Sequence, residues 1–164
     1  MQKNLFLIGL LIGLFTVAGF SQREVKLAKD FDTYSKMYQS GKTKMVRSHK
    51  DFIAYSKKNT VFQKYVKKDQ LVAFLKELKF SKIGLITCSF QMFKNMPEEQ
   101  QTSIFNATSE MLGWDPIVLA ADHKGYKCGG SSTCVASEDY ICLGKSCGES
   151  VLQGPDFQLN ILMP

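Results

Sequence analysis

Four cysteines near the C-terminal end carry the strongest chemical signal in the sequence. They are Cys128, Cys134, Cys142 and Cys147, with gaps of five, seven and four residues between them. Zinc ligands usually come in close pairs separated by about two to four residues. An even cluster of cysteines in an exported chain is instead typical of disulfide bonds. We therefore predict two disulfides and no metal site, with all three pairings open.

A fifth cysteine, Cys88, lies in an apolar segment between Thr87 and Ser89. A cysteine nucleophile requires a nearby base and an exposed, electropositive setting. Only His49 and His123 could supply the base, and an apolar segment does not provide the setting. We therefore predict a buried, unpaired thiol that packs as a small hydrophobic side chain, with an intermolecular disulfide as the alternative. No catalytic residue is predicted.

The remaining polar motifs give weaker signals. His123 follows Asp122 at the expected end of a helix, where a positive charge is favourable. The carboxylates of Asp115, Asp122, Glu138 and Asp139 could contact a cation or a basic partner, but they do not match the spacing of a calcium-binding loop. The sequence contains no phosphate-binding glycine loop and no specific nucleic-acid motif. We predict no cofactor.

Charge is distributed unevenly along the chain. Residues 22–97 contain 17 Lys and Arg against 6 Asp and Glu, whereas residues 98–164 contain 3 against 9. The densest basic stretch, which we term the basic patch, comprises Lys42, Lys44, Arg47, Lys50, Lys57, Lys58, Lys64, Lys67 and Lys68. Such a patch could attract an anionic lipid or glycan surface or another protein. A solvated, lysine-rich helix face is the simpler interpretation.

The first 21 residues predict a cleaved secretory signal peptide. Lys3 precedes an apolar run from Leu5 to Phe20, and Gly19 and Ser21 provide small side chains before a cleavage site at Gln22. The run of 16 residues is shorter than the roughly 20 needed to cross a bilayer. We therefore expect a secreted or periplasmic protein that has no transmembrane anchor after cleavage.

Apolar residues at spacings of three and four predict helices along most of residues 22–125. The segments are Val25–Tyr38, Met45–Lys58, Val61–Lys79 and one that begins at Pro97 and ends near Gly113. Asp69 could divide the third segment into two helices. Asp115-Pro116 predicts a short helix over Ile117–Asp122, with a buried strand as the alternative. Residues 80–94 fit a buried helix or a short strand, and we predict helix because helices flank them.

Composition changes after Gly125, where glycine, serine and cysteine become frequent and helical periodicity is lost. We therefore expect a mainly α fold, a bundle of about five to six helices over residues 22–125. A loop-rich, disulfide-stapled tail over residues 126–164 is expected to pack on that bundle. Phe157–Leu162 alternates in hydrophobicity and predicts one short strand.

These features favour a secreted, non-enzymatic binding module that acts at the cell envelope or outside the cell. The alternative is an antibacterial or membrane-active basic protein. In layout alone (a signal, a helical body and a tail rich in Gly, Ser and Cys) the chain resembles some bacteriocin-related secreted precursors. A small hydrolase that uses Cys88 or a His/Asp pair is the weakest of the three hypotheses.

Overall fold

The computed structural model describes residues 26–152. The predicted signal peptide and the predicted strand Phe157–Leu162 lie outside the described residues. Within residues 26–152 the helices are α1 (Phe31–Ser40), α2 (His49–Ser56), α3 (Thr60–Tyr65), α4 (Lys68–Glu77), α5 (Glu98–Met111) and α6 (Pro116–His123). The strands are β1 (Lys79–Ser81), β2 (Gly84–Ser89), β3 (Lys124–Gly130) and β4 (Thr133–Cys142). None of these helices is long and apolar enough to span a bilayer.

Side-chain caps and backbone breaks set the helix boundaries. Asp30 starts α1 by accepting a hydrogen bond from the Thr33 amide at 2.7 Å. Gly41, with a φ of 65°, ends α1 in the left-handed conformation that glycine adopts readily. The helices α3 and α4 are separate because Val66 and Lys67 between them are extended. This break falls two residues before Asp69, so the division of Val61–Lys79 is confirmed but its cap is not Asp69.

The four strands form one antiparallel sheet in the order β1-β2-β4-β3. The central pair is β2 and β4, in which Thr87 lies opposite Cys142 and Ser89 lies opposite Tyr140. This sheet shows that the predicted mainly α fold is wrong, because the protein is a mixed α/β structure. The short helix predicted over Ile117–Asp122 is confirmed as α6.

The helix predicted for residues 80–94 is wrong, because this stretch contains most of β1, all of β2 and the short 3₁₀ helix Gln91–Phe93. Every residue of β2 is buried, and both α1 and α4 pack against it. A strand buried on both faces has no alternation of polar and apolar residues. Periodicity alone therefore cannot distinguish it from a buried helix.

The prediction of a loop-rich tail over residues 126–164 is also wrong for much of the described part of that segment. Strands β3 and β4 form a hairpin that turns at Ser131 and Ser132, whose φ angles of 48° and 62° are typical of a tight two-residue hairpin turn. Strand β4 continues into the pairing with β2. The residues after Gly125 therefore extend the same sheet on which the helices pack.

Tyr34 connects α1 to the central strand. Its side chain is fully buried, and its ring centroid lies 4.9 Å from that of Trp114. The Leu85 amide donates a hydrogen bond of 2.7 Å to the Tyr34 hydroxyl. Gly84 has a φ of 141°, and a Cβ atom there would lie only 2.7 Å from the Tyr34 hydroxyl oxygen. Glycine is therefore required at this close approach of helix and strand.

The segment before α1 is held against the end of α5. The Ala28 amide donates to the Gly113 carbonyl at 2.8 Å, and the Ala28 carbonyl accepts from the Asp115 amide at 3.0 Å. Ala28 thereby forms a parallel bridge with Trp114, whose side chain is fully buried. These bonds place the start of α6 next to the core.

We expect Gly84→Ala to lower the free energy of unfolding by about 3 kcal/mol, because the new methyl group overlaps the Tyr34 ring and its backbone conformation is strained. Urea titration followed by far-ultraviolet circular dichroism measures this loss. Gly41→Ala is the matched control, because Gly41 also has a positive φ but open space around it. An equal loss in the two variants would contradict the close packing of Tyr34 on Gly84.

Candidate functional site

An open groove of about 1130 Å³ lies between α5, α6 and one end of the sheet. Its floor contains three aromatic residues, Phe90, Phe93 and Phe105, all of which are mostly buried. The ring centroid of Phe90 lies 6.2 Å from that of Phe93 and 5.5 Å from that of Phe105. The core therefore holds the floor rigidly while the groove stays open to solvent.

Helix α6 forms an apolar wall of this groove. Asp115 caps the helix by accepting a hydrogen bond of 2.9 Å from the Ile117 amide, and Pro116 occupies the first helical position. The Ile117 side chain is 80% exposed, more than any other large apolar residue in the described part of the chain. Ala120 and Ala121, which also line the groove, are exposed and small. Ile117, Ala120 and Ala121 together form an exposed apolar strip beside the groove, and a contiguous strip of this kind is a feature of surfaces that a partner covers.

The charged groups along the groove are mainly acidic. Glu98, Asp115 and Asp139 contribute three carboxylates, and Lys124 contributes the single ammonium among the described lining residues. The Lys124 ammonium lies 5.2 Å from the centroid of the Phe105 ring, where the face of the ring attracts it. The surplus of negative charge favours a ligand that carries positive charge.

Asp139 stands out among the groove residues for its backbone. Its φ of 61° lies in the left-handed region, which costs about 1 kcal/mol and which Asp tolerates better than most residues. Its carbonyl oxygen accepts a hydrogen bond from the Phe90 amide at 2.6 Å. This backbone hydrogen bond holds Asp139, and with it the carboxylate of that residue, beside the aromatic floor of the groove.

The groove lining contains hydrophobic side chains, carboxylates, amides, one hydroxyl and one lysine, but no cysteine or histidine. The three residues considered for nucleophilic or acid–base chemistry lie elsewhere. Such a lining is suited to holding an apolar, cationic group. It does not present the nucleophile–base pair that covalent catalysis requires.

Cys88 lies near the C-terminal end of β2 and is fully buried. Burial disfavours the thiolate and raises the pKa of the Cys88 thiol. The thiol therefore stays protonated at neutral pH, which does not support its proposed role as a nucleophile.

The two histidines make backbone contacts. The Nε2 atom of His49 lies 2.6 Å from the Leu78 carbonyl oxygen. The Nδ1 atom of His123 lies 3.1 Å from the Cys142 carbonyl oxygen, and its ring packs edge-on against Trp114 at 5.1 Å. Burial lowers the pKa of His123, so this histidine is predominantly neutral at neutral pH.

The prediction of disulfide bonds is confirmed, and the structure chooses the pairing. Cys128 is bonded to Cys147, and Cys134 is bonded to Cys142. The first bond joins β3 to the residue that follows the short 3₁₀ helix Gly144–Ser146, and the second lies within β4. Each closed loop is expected to stabilise the fold by roughly 2–3 kcal/mol by restricting the unfolded chain.

The structure divides the predicted basic patch into two kinds of residue. Its eight lysines are exposed, and none of them forms an ion pair with a residue in the described range, where the pair found joins Lys145 to Asp32. Arg47 is different, because its guanidinium donates hydrogen bonds to the carbonyl oxygens of Tyr38 at 2.9 Å and Thr43 at 2.9 Å. Arg47 therefore stabilises the chain after α1 and is not a free surface charge.

Sequence reasoning missed the groove itself. Asp115 and Asp139 were considered only as members of an acidic set, and Ile117 only as a helical residue. A signal existed in the run of five apolar residues Ile117–Ala121, because five consecutive positions cover the whole circumference of a helix and cannot all face the core. The aromatic floor left no signal, since a residue below a groove has the same periodicity as any core residue.

We expect Arg47→Lys to lower the free energy of unfolding by about 1–3 kcal/mol, since lysine cannot reproduce the planar set of donors that reaches several carbonyl groups. The measurement is chemical denaturation at neutral pH. Lys50→Ala is the control, because Lys50 is exposed and its loss should change stability by less than about 0.5 kcal/mol. Equal stability of Arg47→Lys and the wild type would refute the structural role.

Comparison of the chain with protein-family models, with curated proteins and with solved structures gives no match.

Proposed function

We propose that the protein is an exported, non-enzymatic binding module and that the groove between α5 and α6 is its binding site. The observation that carries this proposal is the exposed Ile117 beside an open groove with an aromatic floor. Burying a side chain of this type contributes about 1.5–3 kcal/mol. A partner that covers it therefore gains free energy that the isolated protein does not realise.

The charges along the groove define the chemistry of the partner. Three carboxylates against one ammonium favour a segment that carries lysine or arginine next to an apolar side chain. The apolar side chain would lie between Ile117 and the floor residue Phe105, and its basic neighbours would face Asp139 and Glu98. We therefore propose a basic, apolar peptide segment of another protein as the ligand class.

The predicted signal peptide and the two disulfides support export. Disulfide bonds persist in oxidising compartments such as the periplasm or the extracellular space. The groove, the disulfides and the signal together favour a protein that recognises a partner at the cell envelope or outside the cell.

The groove is tested with a fluorescent peptide in which leucine alternates with lysine, measured by fluorescence anisotropy at physiological ionic strength. We expect this peptide to bind, and a peptide with glutamate in place of lysine to bind on the order of tenfold more weakly or not at all. Equal affinity for the two peptides, or no binding of the lysine peptide, would rule out the proposed ligand class.

Two variants locate the binding in the groove. Ile117→Ser removes the apolar contact, and Asp139→Asn removes a charge while keeping a residue that tolerates the left-handed backbone. Each should weaken binding of the lysine peptide by on the order of tenfold. Val135→Ser is the matched control, because Val135 is 44% exposed but does not line the groove.

A second candidate function, association with an anionic membrane surface, rests on the eight exposed lysines of the basic patch. Lysines near an anionic bilayer contribute about 1 kcal/mol each, and salt screens this attraction. The arrangement suits binding on the surface of a membrane. The antibacterial alternative belongs to this candidate, because such proteins first bind an anionic envelope.

We expect replacement of Lys64, Lys67 and Lys68 by glutamine to weaken sedimentation with phosphatidylglycerol vesicles by at least about tenfold, because three charges leave one site. Replacing Lys76, Lys79 and Lys82 by glutamine changes the net charge equally and is the control. These lysines are exposed and lie outside the basic patch. Equal losses in the two triple variants would show that net charge, and not the patch, controls the association.

A further inference from the structure

We propose that the four clustered cysteines of the reduced protein bind one zinc ion. This inference is independent of the groove and starts from the positions of the sulfur atoms. The Sγ atoms of Cys128, Cys142 and Cys147 all lie within 4.8 Å of one another. Cys134 lies outside this group of three, but its disulfide bond to Cys142 holds the fourth sulfur beside that residue.

The spacing of the sulfur atoms is close to the requirement of a tetrahedral zinc site. Four thiolates at a zinc–sulfur distance of about 2.3 Å lie about 3.8 Å from one another. The Sγ atoms of Cys142 and Cys147 are 3.1 Å apart although they are not bonded to each other. After reduction, the Sγ atoms of Cys128, Cys142 and Cys147 need to move by only about 1–2 Å to reach the zinc geometry. The Cys134 side chain must rotate away from Cys142 to supply the fourth ligand.

In the sequence, the gaps between the four cysteines are wider than those of most zinc ligands. The fold nevertheless brings the cysteines together. Cys128 and Cys134 are directly opposite each other across the hairpin of β3 and β4, although five residues separate them. Cys142 and Cys147 flank the 3₁₀ helix Gly144–Ser146. The two ligand pairs therefore come from two neighbouring chain reversals, and close spacing in sequence is not needed.

The 3₁₀ turn also encloses the cluster. A Cβ atom at Gly144 would lie 3.5 Å from the Sγ atom of Cys134, and the Cys128 Sγ atom lies 3.5 Å from the Cys147 carbonyl oxygen. Cys142 is fully buried and Cys147 is 8% exposed. Cys128 and Cys134 are half-buried, so the turn and the hairpin enclose the site on one side and leave it partly open on the other. Four thiolates from one chain are the ligand set of many structural zinc sites.

A small dithiol supplies the electrons and protons that convert the disulfide form of the protein into the zinc-binding thiol form. Reduction of each disulfide takes two electrons and two protons from a dithiol, which becomes a cyclic disulfide, and leaves two cysteine thiols. The four thiols lose four protons when they bind one zinc ion. In the reverse direction, two molecules of a small disulfide each accept two electrons and two protons and become thiols, while the four thiolates form two protein disulfides and release the ion. Metal occupancy would therefore follow the thiol redox state.

The experiment titrates full-length protein, reduced with a dithiol and then freed of it without oxygen, with Zn²⁺ against a chromophoric chelator. We expect one zinc ion per chain and no binding to the oxidised protein. Co²⁺ in place of Zn²⁺ should give the intense visible bands of a tetrahedral thiolate site. Reduced protein that binds neither ion, or oxidised protein that binds zinc equally well, would overturn the proposal.

Two variants distinguish the cluster from the remaining thiol. Cys147→Ser should lower the zinc affinity of the reduced protein at least tenfold and weaken the cobalt–thiolate charge-transfer band. Cys88→Ser is the matched control, because Cys88 is buried in β2, and it should bind zinc as the wild type does. If Cys147→Ser fails to fold, the reduced wild type is alkylated with and without zinc. Zinc should then protect four cysteines from alkylation. Zinc that protects none of them would overturn the proposal.

Discussion

The complete burial of the central strand β2 is the constraint on which the rest of the structure depends. A strand that has no exposed residue must be covered by other elements, and α1 and α4 pack against it while β1 and β4 pair with its edges. The contact of Tyr34 with Gly84 and Leu85 fixes the position of α1 on this strand. The helical and cysteine-rich parts of the chain therefore share one core.

The groove is a consequence of where β2 ends. The chain leaves the strand at Phe90, whose amide donates a hydrogen bond to the Asp139 carbonyl oxygen of β4. The Phe90 ring packs on Phe93 and Phe105. These rings are buried, whereas Ile117 of the neighbouring helix α6 is exposed to solvent. The packing of these rings therefore closes the core at this end of the sheet. The groove, which is apolar and acidic, lies above it between α5 and α6.

The two halves of the chain differ in charge as well as in structure. The lysines lie mainly on the loop before α2 and on the α2–α4 segment. The groove is lined instead by Glu98 of α5, Asp115 before α6 and Asp139 of β4. A basic surface and an acidic groove suit partners of opposite charge, which is the physical basis of the two candidate functions. The disulfides add a covalent constraint where glycine and serine provide little apolar surface to bury.

Several features of this protein are encoded by residues close together in the chain. The Asp115-Pro116 start of α6 and the stop of α1 at Gly41 follow from interactions between residues a few positions apart. The Asp30 cap is equally local, although the predicted helix began at Val25. The presence of disulfides also followed from the sequence, because it depends on residue type and number. Two carboxylates of the candidate site, Asp115 and Asp139, were predicted as possible contacts for a cation or a basic partner, but Glu98, the aromatic floor and the shape of the groove were not.

Other features of the fold and of the groove depend on contacts between residues that are distant in sequence. Strand β2 was indistinguishable from a buried helix, because its burial comes from elements distant in sequence. The role of Arg47, the disulfide pairing and the aromatic floor of the groove likewise depend on which distant groups meet. Local sequence encodes how the backbone turns, whereas contacts between distant residues decide which side chains are buried, paired or left open to a partner.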